Sequence, residues 1–192
     1  MSINLLQTVQ ENLGYSPLQK IDANTQLVTV EANTPGEERF SQAAIPAVLT
    51  ALYKYSQTDK GADFILFAGL STDWAAIIFG DNNEKAMEAI AAYSGHTTEY
   101  TIPKLNSIAK EAISLIREQV KTGTIMDVKR LLADSRNDVL PFLPASMQIG
   151  VLLNDDTLDD RTNKMEGPIS SLMHAIGGSF SGSDSDETNI SK

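Results

Sequence analysis

The chain has 192 residues, 15 basic against 25 acidic, for a formal net charge of −10; 42% of the residues are apolar, 6% are aromatic and there is no cysteine. A length within the ~100–200 residues of one domain allows a single core that buries roughly 70% of the unfolded surface without staples, and the lack of cysteine removes disulfide frameworks, thiolate metal sites, iron–sulfur clusters and cysteine nucleophiles together. Two histidines disfavour a metalloenzyme, and the acidic balance disfavours nucleic acid, whose phosphates are held mostly by clustered Lys and Arg.

Apolar spacing is helical over most of the chain. Leu5, Leu6, Val9 and Leu13 form a one-sided stripe, with Gly14 where a left-handed C-terminal cap is wanted. Ser16-Pro17 reads as a new helix start, serine capping and proline at the first helical position. Leu27-Val28-Thr29-Val30-Glu31 is β-favourable and Asn33-Thr34-Pro35-Gly36 is turn-like, so an extended loop or isolated edge segment is expected there, with no second strand to pair it. From Glu37 a helix carries Phe40, Ala44, Ile45, Val48, Leu49, Leu52 and Tyr53 on one face, and Pro46 predicts a kink or a new start near Ala44-Ile45.

Asp63 to Leu70 and Ser71 to Phe79 read as short apolar helices, the second capped by Ser71 or Thr72 and stopped at Gly80. Asp81-Asn82-Asn83-Glu84 has the form of a capping box opening a helix with Met87, Ile90 and Ala91 that ends before Gly95. Thr97 or Thr98 opens a longer helix through Val120, with Ile102, Leu105, Ile108, Ala109, Ala112, Ile113 and Ile116 apolar, ended by Gly123. Ile125 to Ala133 and Ser135 to Leu140 are shorter helices, and Pro144 starts one over Ala145 to Leu153. An acidic connector, Asn154-Asp155-Asp156-Thr157-Leu158-Asp159-Asp160, leads to a last amphipathic stretch with Ile169, Leu172, Met173 and Ile176. Ser179 to Lys192 is mostly Ser, Gly, Asp and Thr, too polar to repay its ordering entropy.

These elements predict an all-α fold: one compact multi-helix domain over 1–178 and a disordered acidic tail over 179–192. Ile45-Pro46 and Ile102-Pro103 each lead into an apolar-striped helix, an echo that points to a duplicated helical unit. The N-terminus, Met1-Ser2-Ile3-Asn4-Leu5-Leu6-Gln7, has neither the basic region nor the apolar run of a secretory signal, so a cytoplasmic protein is expected, with signal-peptide-independent export open to it. The most apolar stretch, Phe64 to Phe79, contains Gly69 and Asp73 and is shorter than the roughly 20 residues of a membrane span; it reads as buried core, without membrane insertion.

Order and spacing of packing motifs resemble a bacterial family known as domain of unknown function nine-three-seven. The residues are Phe40-Ser41-Gln42-Ala43-Ala44-Ile45-Pro46-Ala47-Val48-Leu49, Ile78-Phe79-Gly80 followed by Ile90-Ala91-Ala92-Tyr93-Ser94-Gly95, the helix from Ile102 to Ile116, and Leu131-Leu132 with Leu140-Pro141-Phe142-Leu143-Pro144. They cover Leu5 to Leu153. The resemblance implies an all-α domain, joined in some relatives to an envelope-anchoring domain, and brings no catalytic residues with it.

Candidate chemistry is sparse. His96, in Gly95-His96-Thr97-Thr98, could act as a general base with Glu99, but no nucleophile is placed beside it, and a surface-turn histidine is the expectation. His174 has no acidic residue within four positions and is expected in core or surface without chemistry. Asp155, Asp156, Asp159 and Asp160 carry oxygen ligands suited to a hard cation but lack EF-hand spacing, so a solvated linker is expected. There is no Gly-rich phosphate loop and no G-x-S-x-G; Ser181-Gly182-Ser183 has no strand before it. Tyr53, Tyr55, Trp74 and Tyr93 are scattered along the chain, which disfavours base stacking, and Trp74 reads as a core anchor.

No catalytic, metal or cofactor residue is therefore nominated. The expected role is that of a soluble, non-enzymatic helical protein working through protein–protein contact, as an adaptor or a homo-oligomer. A cargo or toxin-like effector delivered by a bacterial secretion or contractile injection system is the alternative. Ile169 to Ile176 is the stretch suited either to packing on its own domain or to docking in a partner's groove.

Overall fold

A computed structural model describes residues 3–21, 34–121 and 123–155, and all regular elements among them are helical. They are α1 (Leu5–Asn12), α2 (Gly36–Ser56), α3 (Asp59–Phe67), α4 (Trp74–Phe79), α5 (Asn83–Ser94), α6 (Thr98–Val120), α7 (Ile125–Val139) and α8 (Ile149–Leu152), with 3₁₀ turns at Gly80–Asn82, Leu140–Phe142 and Ala145–Met147. All described residues belong to one compact unit, Met1–Thr162. The segment Leu27 to Glu31, the connector beyond Asp155, the stretch Ile169 to Ile176 and the expected boundary at 178–179 lie outside the described residues. No helix among those described is long and apolar enough to cross a membrane.

The first helix forms as its pattern predicts. Asn4 accepts from the Gln7 N–H at 3.1 Å, Leu5, Leu6 and Val9 are buried, and Gly14 takes the left-handed conformation at φ 72° that a Cβ would disfavour. The expected helix after Ser16-Pro17 does not form; Tyr15 to Ile21 is irregular. Its backbone groups are taken by other parts of the molecule. Gln19 N–H donates to Gln42 Oε1 at 2.8 Å, Gln42 Nε2 donates back to the Gln19 carbonyl at 3.0 Å, and Ile21 N–H donates to the Pro141 carbonyl at 2.8 Å. A helix would withdraw these groups into its own ladder.

The central element is α2. Its apolar residues predict one buried face, yet every residue from Phe40 to Leu52 is buried, and α1, α3, α4, α5, α6 and α7 all pack against it. It runs through Pro46 with no new start at Ala44-Ile45. Proline there denies the Gln42 carbonyl its i+4 donor, and packing on all sides holds the helix through the loss.

Capping decides the next boundaries. The helix expected at Asp63 to Leu70 is α3, begun by the Thr58 hydroxyl, which accepts from Gly61 N–H at 3.0 Å. The α4 cap is Asp73 rather than Ser71 or Thr72; its Oδ1 accepts from Ala76 N–H at 3.2 Å and from Asn106 Nδ2 of α6 at 2.9 Å, a tertiary partner that selects among adjacent capping residues. The stretch Phe64 to Phe79 is only partly core, because Phe67 and Leu70 at the α3–α4 turn are 74% and 41% exposed. Nor is there a capping box at Asp81 to Glu84. α5 follows a 3₁₀ turn without a side-chain cap, and Asn82 donates its amide to the Leu152 carbonyl at 2.8 Å.

The end of α5 at Gly95, φ 74°, and the Thr97 cap of α6, accepting from Tyr100 N–H at 3.3 Å, follow the pattern read from the sequence. Two short helices expected over Ile125 to Leu140 are one, α7. Ser135 donates its hydroxyl to the Leu131 carbonyl at 2.8 Å, so it stays within the helix and caps nothing. A capping box does occur at its start, between Thr124 and Asp127. Pro144 is followed by a 3₁₀ turn, then Gln148 at φ 47°, then α8, in place of one helix over Ala145 to Leu153. The echoed Ile-Pro pairs sit inside α2 and α6 but differ in packing: Ile45 is 0% exposed and Ile102 37%.

At Gly61 the α2–α3 turn passes so close that a Cβ would stand well inside contact distance of the Tyr55 carbonyl, a backbone group that cannot rotate away. Gly61→Ala is therefore expected to destabilise the chain by about 2 kcal/mol, read from denaturant midpoints. The Asp127 carboxyl is held below its ordinary range chiefly by the Thr124 backbone N–H at 2.7 Å, then by the Thr124 hydroxyl at 2.9 Å. A depressed folded value contributes stability above the unfolded carboxyl value and loses it as pH falls through the folded one. The gap in urea midpoint between the wild type and Asp127→Asn should thus be constant near neutrality and close as pH drops below about 4.

Candidate functional site

Two features stand out, one at the start of α6 and one at the end of α3. At the first, Tyr100 and Lys104, four residues apart, share one side of the first turns of α6, and His96, just before the Thr97 cap, lies against Tyr100. Glu37 and Phe40 face them from the start of α2, and Tyr15 from the turn after α1. Lys104 Nζ donates to Glu37 Oε1 at 2.9 Å and Oε2 at 3.1 Å, and the Tyr100 hydroxyl donates to Glu37 Oε1. The same ammonium lies 4.7 Å from the Tyr100 ring centroid, 5.8 Å from Phe40 and 5.9 Å from Tyr15, within the ~6 Å reach of a cation–π contact.

The rings support one another. Phe40 meets Tyr100 edge-on at 5.9 Å and Tyr15 at 6.2 Å, and the His96 ring stacks on Tyr100 at 4.1 Å. Beside them opens a cleft of about 290 Å³ lined by Leu13, Gly14, Tyr15, Ser16, Glu37, Glu38 and Lys104. Burial raises the Tyr15 hydroxyl above its ordinary value, Lys104 opposing and Glu37 adding to the effect. The Tyr15 hydroxyl is thus neutral, not a phenolate. Rings and carboxylates together make a place for a cation.

At the second feature, Arg117 of α6 donates from Nε to the Ile65 carbonyl at 2.7 Å and from Nη2 to the Ala68 carbonyl at 2.6 Å, satisfying the open end of α3. Burial lowers the Arg117 value, though a guanidinium stays charged. The turn fixed in this way carries the exposed Phe67 and Leu70.

The residues singled out from the sequence fare differently. His96 is half-buried rather than on the surface; its Nε2 is buried without a hydrogen-bond partner among the described residues, and a Cβ on Gly36 would lie 3.0 Å from it. Glu99 spends its carboxylate on the α6 N-terminus, on its own backbone N–H first and the Thr97 hydroxyl next, which lowers its value. The His96–Glu99 relay is therefore not assembled. Asp155 pairs with Lys54 of α2 at 3.0 Å; Asp156, Asp159, Asp160, His174 and Ser181 to Ser183 lie outside the described residues. Among described residues, no three acidic or histidine side chains converge as metal ligands.

Trp74 is fully buried against Phe64 at 5.4 Å, the core anchor expected. Cations scattered in sequence do reach two of the tyrosines: Arg136 lies 5.6 Å from the Tyr53 ring, and Arg39 lowers the Tyr93 hydroxyl against a larger rise from burial. Sequence reasoning passed over Tyr15, Glu37, Tyr100 and Lys104. The four-residue spacing of Tyr100 and Lys104 was the available signal, but their partners in the turn after α1 and on α2 are distant in sequence.

Compared with family models, curated proteins and solved structures, the chain matches none. The resemblance to family nine-three-seven accordingly rests on the packing motifs alone. Arg117→Met keeps the stem and removes the donors, leaving two helix-end carbonyls without protein partners. It should lower stability by about 1–2 kcal/mol and speed amide exchange over Phe67 to Leu70, measured by hydrogen–deuterium exchange.

Proposed function

We propose that the chain acts by non-enzymatic protein–protein contact, centred on the α3–α4 turn. One observation carries this reading: Phe67, 74% exposed at the end of α3, and Leu70, 41% exposed in the turn after it, flank Ala68, whose carbonyl is held to α6 by Arg117 together with that of Ile65 in α3. A mobile loop with an exposed aromatic loses ordering entropy on binding, whereas a turn already held in place loses little. Aromatic side chains on such platforms are the usual anchors of interfaces. The polar groups near His96 support the same reading from the other direction, since Glu37, Lys104 and Glu99 are engaged with one another or with their own helix ends rather than with His96.

Phe67→Asp separates stability from contact. Its melting should stay within about 0.5 kcal/mol of wild type, because the ring is exposed. Self-association by sedimentation equilibrium, or retention of a partner in affinity capture from native cells, should be lost. A variant that associates and retains the same proteins as wild type would sink the reading.

A further inference from the structure

We propose that the cluster around Lys104 is a binding site for an alkylated ammonium group, in which Lys104 is the resident placeholder. The site is independent of the Phe67 surface. Three aromatic rings surround one ammonium at 4.7, 5.8 and 5.9 Å, and a carboxylate closes the remaining side. A surface lysine ordinarily extends its ammonium into water; here it is turned over three rings and ends on Glu37. Such enclosure is the recognised means of holding methylated amines, because the ring quadrupoles attract the cation without requiring N–H donors.

The walls do not depend on their occupant. Phe40 is fully buried and wedged between Tyr15 and Tyr100, Tyr100 is backed by the stacked His96 ring, and Glu37 is oriented by the Tyr100 hydroxyl as well as by Lys104. Removal of the lysine ammonium leaves a preformed cage. The placeholder is weakly held. Its pair with Glu37 is partly open to solvent, with the two side chains 32% and 52% exposed, and ion pairs of this kind contribute little net stability. A lysine on a four-carbon stem can swing into water and leave the rings to another cation.

The adjoining cleft of about 290 Å³ gives the rest of such a ligand somewhere to lie, and Glu38 adds a second carboxylate to its lining. That lining, together with the net charge of −10, attracts cations and repels anions. The ligand class is thus an organic ammonium, carried by a free small molecule or by a methylated lysine side chain.

Tetramethylammonium chloride, titrated into the full chain against sodium chloride at equal ionic strength, is the direct probe. Methyl protons enclosed by rings move upfield in the NMR spectrum. Wild type should show a saturable upfield shift, Lys104→Ala should bind about ten-fold tighter, and Glu37→Gln and Tyr100→Leu should each bind at least about ten-fold more weakly. Circular dichroism checks the fold of each variant, and exposed Glu37 keeps the test valid if Tyr100→Leu unfolds. Choline against a short trimethyllysine peptide then separates the free amine from the side chain, the tighter binder naming the source. The proposal is overturned by no saturable shift in wild type, by Lys104→Ala binding no tighter, or by Glu37→Gln binding as well as wild type.

Discussion

The enclosure of α2 is the constraint on which the remaining structure depends. A helix with no solvent face from Phe40 to Leu52 obliges each helix around it to present apolar surface, and the surrounding α1, α3, α4, α5, α6 and α7 do so. Small side chains make the approach close. Ala43, Ala44, Ala47 and Ala51 are all 0% exposed, interleaved with Ile45, Val48, Leu49 and Leu52. The same enclosure explains why a proline near the middle of the helix neither ends nor restarts it: the neighbours, rather than the hydrogen-bond ladder alone, hold the backbone in place.

Burying a helix completely also buries its polar side chains, and each needs a partner. Gln42 finds three, the Gln19 N–H and the carbonyls of Gln19 and Phe142, and so fastens both the segment after α1 and the 3₁₀ turn after α7 to the central helix. Ser41 donates back to the Glu38 carbonyl. Among the described residues Thr50 Oγ1 of α2 finds none, and neither does Trp74 Nε1 of the neighbouring α4, a residual cost of placing polar atoms where packing demands the rest of the side chain. Arg117 performs the corresponding task at the end of α3, where its guanidinium replaces the missing helical donors.

The two surface features lie toward opposite ends of α6. Tyr100 and Lys104 stand in its first turns and Arg117 in its last, about 25 Å apart along the axis from Tyr100 to Arg117 at 1.5 Å per residue. One helix therefore organises both, using aromatic rings and a carboxylate at one end and backbone carbonyls at the other. Since neither shares a residue with the other, a change in the Lys104 cluster leaves the Phe67 turn with its own supports.

Helical periodicity, local caps and glycine positions were legible without coordinates: the α1 stripe closed by Gly14, the α5 end at Gly95 and the Thr97 cap of α6 each involve groups within a few residues of one another. Several local readings gave way where a distant residue offered a competing partner. Gln42 and Pro141 drew Tyr15 to Ile21 out of a helix, and Asn106 favoured Asp73 over Ser71 and Thr72. The cage around Lys104 was hidden because its walls come from the turn after α1, from α2 and from α6, segments far apart in the sequence. The sequence by itself determined that the regular elements among the described residues are helical and where several of the helices begin or end, because those choices depend on periodicity and on hydrogen bonds closed within a turn. Only the tertiary structure decided that α2 is the enclosed helix, that Phe67 remains outside, and that Lys104 meets three rings and Glu37, because those are outcomes of packing between segments tens of residues apart.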